Sequence, residues 1–134
     1  MGGKSGYLEG AMLDHIFGIA DYTRPASVFM ALFKGDPDDS GVEVSGGGYA
    51  RVEVVNDGTN WSRTDSTVIN LNDIDFGTAS ADWATLGHEV THAAMLDDAT
   101  AGNLLYSGAL SVPRIILNGD PIVLVAGQLQ ITES

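Results

Sequence analysis

The spacing of apolar residues near the start of the chain predicts one amphipathic helix over residues 5–18. Side chains recur there every three or four positions and would share one helical face: Tyr7, Leu8, Ala11, Met12, His15, Ile16 and Ile19. Ser5 stands before this pattern as a candidate N-cap, and Gly18 stands after it as a candidate stop. The tripeptide Arg24-Pro25-Ala26 then breaks the chain, so we expect the helix to end before it.

The rest of the chain predicts short strands. Ser27 to Lys34 is a nearly continuous apolar run, which is typical of a buried strand. Further strands are predicted at 49–55 and 67–76, from alternation of apolar and polar residues, and at 104–110, 114–117, 122–126 and 129–132. The polar segments 35–48 and 56–64 are predicted to be loops or turns. Asn118-Gly119 is the strongest β-hairpin pattern in the chain.

Strands that come every dozen residues or so, separated by Gly and Asp turns, predict an all-β fold. We expect an antiparallel β-sandwich or small barrel, jelly-roll-like or immunoglobulin-like, with one N-terminal α-helix. The 134 residues, of which 44% are hydrophobic, suffice for one core. No linker or repeat divides the chain, so a single domain is expected over 1–134, with the helix at 5–18 and the sandwich at 27–134.

The charge of the chain narrows the classes of partner. The formal net charge is -12, from 6 Lys+Arg and 18 Asp+Glu. Such a surface repels phosphate backbones and anionic lipid, so we expect neither nucleic-acid nor membrane binding. The chain has no cysteine, which excludes a disulfide framework and a thiolate zinc site. We also expect no leader peptide, no cofactor and an origin in a reducing cytosol.

One short motif suggests chemistry. His88-Glu89-Val90-Thr91-His92 matches HExxH, in which two histidines one helical turn apart bind zinc and the glutamate activates water. A catalytic zinc also needs a third ligand, and the one remaining histidine, His15, lies far upstream. Residues 89–96 are equally well interpreted as a strand. We therefore expect no catalytic residue and no metal, with His88, Glu89 and His92 kept as a minor alternative.

Other features have both a functional and a structural interpretation. Asp36 to Gly41 matches the opening of a calcium loop, but position twelve would be Gly47, so a solvated loop is expected. Trp61 and Trp83 lie in polar contexts that fit an interface anchor or core packing equally well.

Several segments, taken together, resemble one family along most of the chain. In chain order they are YLEGAMLDHIFG, TRPASVFMALFKGDP, EVSGGGYARVEV, TASADW, VTHAAMLDDATAGNLLYSGAL and AGQLQIT. They are similar to segments of short virion proteins of tailed bacteriophages, which are described as head decoration or tail fibre proteins. Residues 56–75 resemble the family least.

The resemblance implies a structural role in the virion without enzymatic activity. The main expectation is a capsid decoration protein that cements the outer face of the shell and contacts the major capsid protein. It would be assembled in the bacterial host cytoplasm, as a homotrimer because closed symmetry prevents runaway polymerisation. The first alternative is a minor tail or tail-fibre component, and the second is the zinc-dependent hydrolase.

Overall fold

The computed structural model describes residues 3–133. Met1, Gly2 and Ser134, which the expected domain 1–134 includes, lie outside the described residues. Within the described range the protein is mostly β, with antiparallel sheets and one N-terminal helix. This is the fold class that the pattern of the sequence predicts.

The helix, α1, spans Gly6–Ile16, slightly less than the predicted 5–18. Ser5 is its N-cap, as expected, since its hydroxyl accepts a hydrogen bond from the amide of Leu8 at 3.1 Å. Gly18 ends the helical segment with φ of 73°, a conformation that glycine adopts without strain. The residues that start and stop the helix are therefore the ones that the sequence indicates.

The described chain continues with ten strands. Their bounds are β1 Ser27–Lys34, β2 Val42–Glu43, β3 Val52–Val55, β4 Trp61–Thr64, β5 Thr67–Asn70, β6 Ile74–Thr78, β7 Val90–Leu96, β8 Leu104–Arg114, β9 Pro121–Leu124 and β10 Gln130–Thr132.

The strands form three antiparallel sheets. The largest has the order β2-β1-β7-β8, and β3 pairs with β1 as well. The second sheet is β10-β5-β4, and the third is the pair β6-β9. No sheet of residues 3–133 closes on itself, so of the two predicted arrangements the barrel does not apply.

One apolar core joins the three sheets. Val28, Met30 and Leu32 are alternate residues of β1 that face it, and each is at most 5% exposed. The smaller sheets and the helix add side chains to the same cluster, among them Leu8, Ile74, Phe76, Ile122, Leu124 and Ile131. The core therefore lies where the inner faces of all three sheets meet.

A second cluster lies on the other face of the large sheet. Ala31 and Ala94 are 0% exposed there and lie beside Leu96, with Phe33 and Leu104 partly buried around them. Strand β1 is therefore buried on both faces, which explains why its sequence is an apolar run and not an alternation. In β7, Val90 joins the main core whereas Ala94 and Leu96 join the second cluster, and the register shifts between Val90 and His92.

Several strand limits differ from the predictions. The segment 67–76 is two strands of different sheets, β5 and β6, and residues 61–64, expected as a turn, form β4. The expected strand 104–110 continues to Arg114 as β8, whereas the expected strand 114–117 is not formed, since beyond Arg114 only Ile116 pairs, in an isolated bridge with Ala84. Strand β4 pairs with the neighbouring β5 across the turn at residues 65–66, but a polar, half-exposed strand carries too little alternation to be recognised from the sequence.

The Asn118-Gly119 hairpin prediction was wrong in its pairing. The two residues do form a turn, but β9 after it pairs with β6 and not with β8. The turn is instead docked on a preceding loop. Asp82 accepts a hydrogen bond from the amide of Asn118 at 2.9 Å, and the carbonyl of Ala79 accepts one from Gly119 at 2.8 Å.

The glycine run 46–48 wraps around a buried tryptophan. All three glycines have positive φ, and the carbonyl of Gly47 accepts hydrogen bonds from the indole of Trp83 and from the amide of Ser80, both at 2.9 Å. Trp83 is 2% exposed, so of its two interpretations core packing is confirmed. A Cβ at Gly47 would lie 2.8 Å from the indole nitrogen of Trp83. Glycine is therefore required here by contact as well as by backbone conformation.

Arg51 ties the edge of the large sheet to the β7–β8 turn. Its guanidinium donates two hydrogen bonds to Glu43, at 2.8 and 2.9 Å, and two more to the carbonyls of Asp98 and Ala101, at 2.9 and 2.7 Å. The side chains of Arg51 and Glu43 are only 9% and 24% exposed. Such a bidentate, largely buried pair fixes geometry far better than an exposed ion pair does.

Replacement of Gly47 by alanine tests the Trp83 contact. Gly47→Ala is expected to lower the free energy of unfolding more than Gly46→Ala, by about 1–3 kcal/mol, because only Gly47 has Trp83 against it. Both glycines have positive φ, so the backbone cost is common to the two variants. Urea denaturation gives the two midpoints. Equal losses of stability in the two variants would mean that Trp83 moves away from the added methyl group without a cost in free energy.

Glu43→Gln tests the Arg51 link through its pH dependence. Burial raises the pKa of Glu43, but hydrogen bonds from Arg51 and Tyr49 outweigh it and hold the pKa below the ordinary 4.5. A lowered pKa stabilises the fold above the ordinary value, and this contribution disappears as the pH falls through the folded-state pKa. The variant is therefore expected to cost about 1–3 kcal/mol at pH 7, and the difference from the parent should shrink in acid.

The matched control for this pH dependence is Asp39→Asn, an exposed carboxylate that makes none of these hydrogen bonds. Its stability difference from the parent is expected to stay small from neutral pH into acid. Denaturation midpoints across that range give both curves. A Glu43→Gln deficit that persists unchanged in acid would contradict the assigned role.

Candidate functional site

The HExxH motif does not lie on a helix. Strand β7 begins at Val90, and His88 and Glu89 lie in the bend before it. Residues four apart along extended chain are separated by roughly 13 Å, against one helical turn in a zinc peptidase. The helical geometry that the zinc hypothesis requires is therefore contradicted by the structure.

The polar side chains of the motif bond to their own neighbourhood. Glu89 accepts a hydrogen bond from the amide of Gly87 at 2.8 Å, and a ring nitrogen of His92 lies 2.8 Å from the hydroxyl of Thr91. Within residues 3–133 no group of three or more His, Cys, Asp or Glu side chains could hold a metal. The segment acts as the turn that leads into β7.

In the acidic loop of Asp36, polar groups also form hydrogen bonds within their own segment. The carboxylate of Asp36 accepts a hydrogen bond from the amide of Asp38 at 2.9 Å, and its carbonyl accepts one from Gly41 at 2.8 Å. These bonds form a compact turn between β1 and β2 of the kind that Asp residues stabilise. The solvated-loop interpretation of the calcium-like pattern therefore fits its geometry.

The most distinctive concave feature is an apolar pocket of about 650 Å³ between the helix and the second sheet. Its size lies within the range of roughly 300–1,000 Å³ that is typical of ligand and side-chain pockets. The apolar and aromatic walls come from α1, the segment after it, β1, β4, β5, β7, β8 and β10, and include Leu8, Met12, Tyr22, Val28, Trp61, Val68, Met95, Leu105, Tyr106 and Ile131.

Much of the polar rim of this pocket is already paired. Glu133 accepts a hydrogen bond from the hydroxyl of Tyr106 at 2.7 Å and pairs with Lys4 at 2.5 Å. Hydrogen bonds from Lys4 and Tyr106 hold the pKa of Glu133 below its usual value. Burial, and then the bond to Glu133, raise the pKa of Tyr106. Glu133 therefore stays ionised and Tyr106 neutral at neutral pH, and these two side chains close one side of the pocket.

Two arginines on the rim of the pocket, unlike Glu133, form no ion pair among residues 3–133. Arg24 and Arg63 line the pocket and are exposed, and neither has a carboxylate within 4.0 Å among residues 3–133. Arg63 donates one hydrogen bond to the carbonyl of Asp65 at 2.7 Å. They are two of the four Lys and Arg side chains without a carboxylate within 4.0 Å among residues 3–133, the other two being Lys34 and Arg114, and Asp65 lies on the same rim.

Trp61 is an unusual part of the pocket wall. Its indole nitrogen is buried and has no hydrogen-bond partner among the described residues. An orphan donor of this kind costs about 1–3 kcal/mol and is unusual in a settled interior. Trp61 was expected to be either an interface anchor or a core residue. It packs against the main core and also lines the pocket, so the core-packing interpretation is correct in part.

The end of the helix carries an exposed apolar cluster, which we call the apolar tip. It consists of Leu13, Ile16, Phe17 and Ile19, which are 59%, 72%, 74% and 74% exposed. The amide of Ile19 donates a hydrogen bond to the carbonyl of Asp14 at 2.8 Å, so the chain after Gly18 folds back beside the last helical turn. Contiguous large apolar side chains on a surface commonly mark an interaction site.

The predicted helical face is therefore only half correct. Leu8 is buried and Met12 packs on the core, but Ile16 and Ile19 project into solvent. Leu13 and Phe17 lie outside the predicted face, and their presence indicates that the last turn is apolar on several sides. That is the one sequence feature that would have revealed the tip. The pocket has no such feature, because its walls come from segments far apart in the chain.

Among residues 3–133 no helix is long and apolar enough to cross a membrane. A comparison with curated proteins found no match to the chain. A family model described as "Podophage GP4 fiber I protein gp80" matches residues 3–132, which is nearly the whole chain and includes 56–75, the part whose resemblance is weakest.

This match supports the tail-fibre alternative better than capsid decoration, because the family description names a fibre. It also agrees with the expected phage virion role. On this basis the chain belongs to the podophage fibre protein family gp80 and is a component of the phage virion fibre.

Proposed function

We propose that this protein is a non-enzymatic structural component of a podophage tail fibre, built into the fibre in several copies. The observation that carries the proposal is the family match over residues 3–132. The physical features agree with it: a β-rich body, a rigid edge held by Arg51, and an exposed apolar tip that suits contact with other chains.

A homotrimer remains the proposed form of the assembly. A closed ring of identical contacts satisfies each exposed surface without open-ended growth. A small chain also gains buried apolar area from its neighbours that its own core does not supply. The partners under this proposal are copies of the chain and other fibre or tail proteins, and the major capsid protein belongs to the capsid decoration alternative.

The location of the protein in the particle tests this proposal. Antibody against the chain, visualised with gold on intact phage, is expected to label the tail fibres. Particles that lack the protein are expected to keep heads as stable to heat and low salt as the parent, because a fibre component does not bridge capsid subunits. The control antibody is raised against the major capsid protein. Gold spread over the shell, together with fragile heads, would favour capsid decoration instead.

Zinc binding tests the non-enzymatic part of the proposal. Purified protein incubated with zinc and then dialysed is expected to retain no stoichiometric metal, because His88 and His92 are not on one helical face. Elemental analysis of the parent and of His92→Ala is expected to give the same result. His15→Ala is the matched control for loss of a histidine outside the motif. Stoichiometric zinc that disappears only in His92→Ala would revive the hydrolase alternative.

A further inference from the structure

We propose that the apolar tip of one copy inserts into the apolar pocket of a neighbouring copy. This inference rests on the proposed assembly of several copies and identifies the contact that holds them together. The inserted group is the side chain of Phe17, with Ile16 and Ile19 beside it. The receiving surface is the pocket between α1, β4 and β5.

The first argument is that the two surfaces have complementary chemistry. The tip presents four large apolar side chains, three of them more than 70% exposed, and the pocket presents walls that are almost entirely apolar. The inner walls offer few free polar groups, because Tyr106 and Glu133 already bond to each other at the rim. Such a pocket suits apolar side chains better than a small polar ligand, which needs several convergent hydrogen bonds.

The second argument is charge. Copies of a chain with net charge -12 repel one another, so a contact between copies is favoured where it pairs opposite charges. The helix segment 5–23 has three acidic residues, Glu9, Asp14 and Asp21, and no Lys or Arg. The pocket rim carries Arg24 and Arg63, both without a carboxylate partner among the described residues, together with Asp65 and with Glu133, which is paired with Lys4. The unpaired charge of the rim is therefore net positive, and a second copy supplies the acidic segment with an apolar tip that complements it.

The third argument concerns Trp61. This side chain lines the pocket, and its indole N–H is buried behind the pocket surface without a hydrogen-bond partner among the described residues. The last helical carbonyls at the tip, those of Ile16 and Phe17, accept no hydrogen bond from the described residues. Side chains at interfaces commonly change rotamer on binding, and a rotamer change of Trp61 would expose this donor to an inserted tip.

Because the tip and the pocket are different surfaces, a contact between them in two copies is a head-to-tail contact. Each copy donates one tip and receives one, so the contacts join head to tail and form a ring when the rotation closes. This is compatible with the proposed trimer. Loss of either surface breaks every contact, whereas a copy that lacks its tip can still receive one.

The self-association of the full chain tests this inference. By sedimentation equilibrium the parent is expected to have a mass that rises with concentration above that of one 14.0 kDa chain. Phe17→Asp is expected to weaken self-association roughly tenfold or more, as the loss of a central apolar anchor does. The matched control is Leu86→Asp, which is 84% exposed and lines no part of the pocket, and it should leave association unchanged.

Disulfide trapping identifies the receiving surface, and the absence of cysteine from the chain makes it direct. Chains with Ala20→Cys, an exposed position beside the tip that leaves Phe17 in place, and chains with Ser66→Cys, at the pocket rim, are mixed and oxidised, and the product is analysed by mass spectrometry. A 20–66 disulfide between chains is expected, because insertion of the tip brings the residues beside it to the pocket rim, and a disulfide forms only where Cα atoms come within about 4.4–6.8 Å. Ala20→Cys mixed with Leu86→Cys is the control and should form little product.

Three outcomes would overturn the inference: a parent that stays monomeric, association unaffected by Phe17→Asp, or trapping at 20–86 as efficient as at 20–66. If the parent is monomeric but Phe17→Asp protein is lost from particles, the tip docks on a different virion protein. Gold labelling of tail fibres is independent of these results. Failure of the tip contact with labelled fibres would therefore leave the proposed function standing.

Discussion

The double-sided burial of β1 is the constraint on which the rest of the structure depends. One edge of this strand pairs with β7 and the other with β3 and β2 in succession. Its inner side chains hold the main core together, and Ala31 on the outer face lies in the second cluster. The large sheet cannot shift register at β1 without moving one set of side chains out of its core. The smaller sheets and the helix then take their positions from the inner face.

The Lys and Arg side chains of the described residues fall into two groups, those in ion pairs within the fold and those without a carboxylate partner. Arg51 and Lys4 are paired with Glu43 and Glu133 and stabilise the chain itself. Arg24 and Arg63 are left at the mouth of the pocket. Lys34 and Arg114, elsewhere on the body, also have no carboxylate partner among residues 3–133.

The sequence predicted those elements whose side-chain pattern reflects burial. The helix, its N-cap Ser5, its stop Gly18 and strand β1 follow from local composition, and β1 has the predicted bounds. The split of 67–76 and the partner of β9 do not, because they depend on contacts across the fold. The pocket could not be predicted for the same reason. HExxH shows the converse, since a short motif has chemical meaning only in the right secondary structure.

The two ends of the described chain meet beside the pocket. Lys4 bonds to Glu133 at 2.5 Å, the amide of Ser5 donates to the carbonyl of Leu105 at 2.8 Å, and the amide of Glu133 donates to the carbonyl of Ser66 at 2.9 Å. A short linker would therefore join them without distorting either end, as in many folds that tolerate circular permutation. New ends opened in the exposed turn at Leu86 and Gly87, which line no part of the pocket, would move any fused peptide away from the pocket.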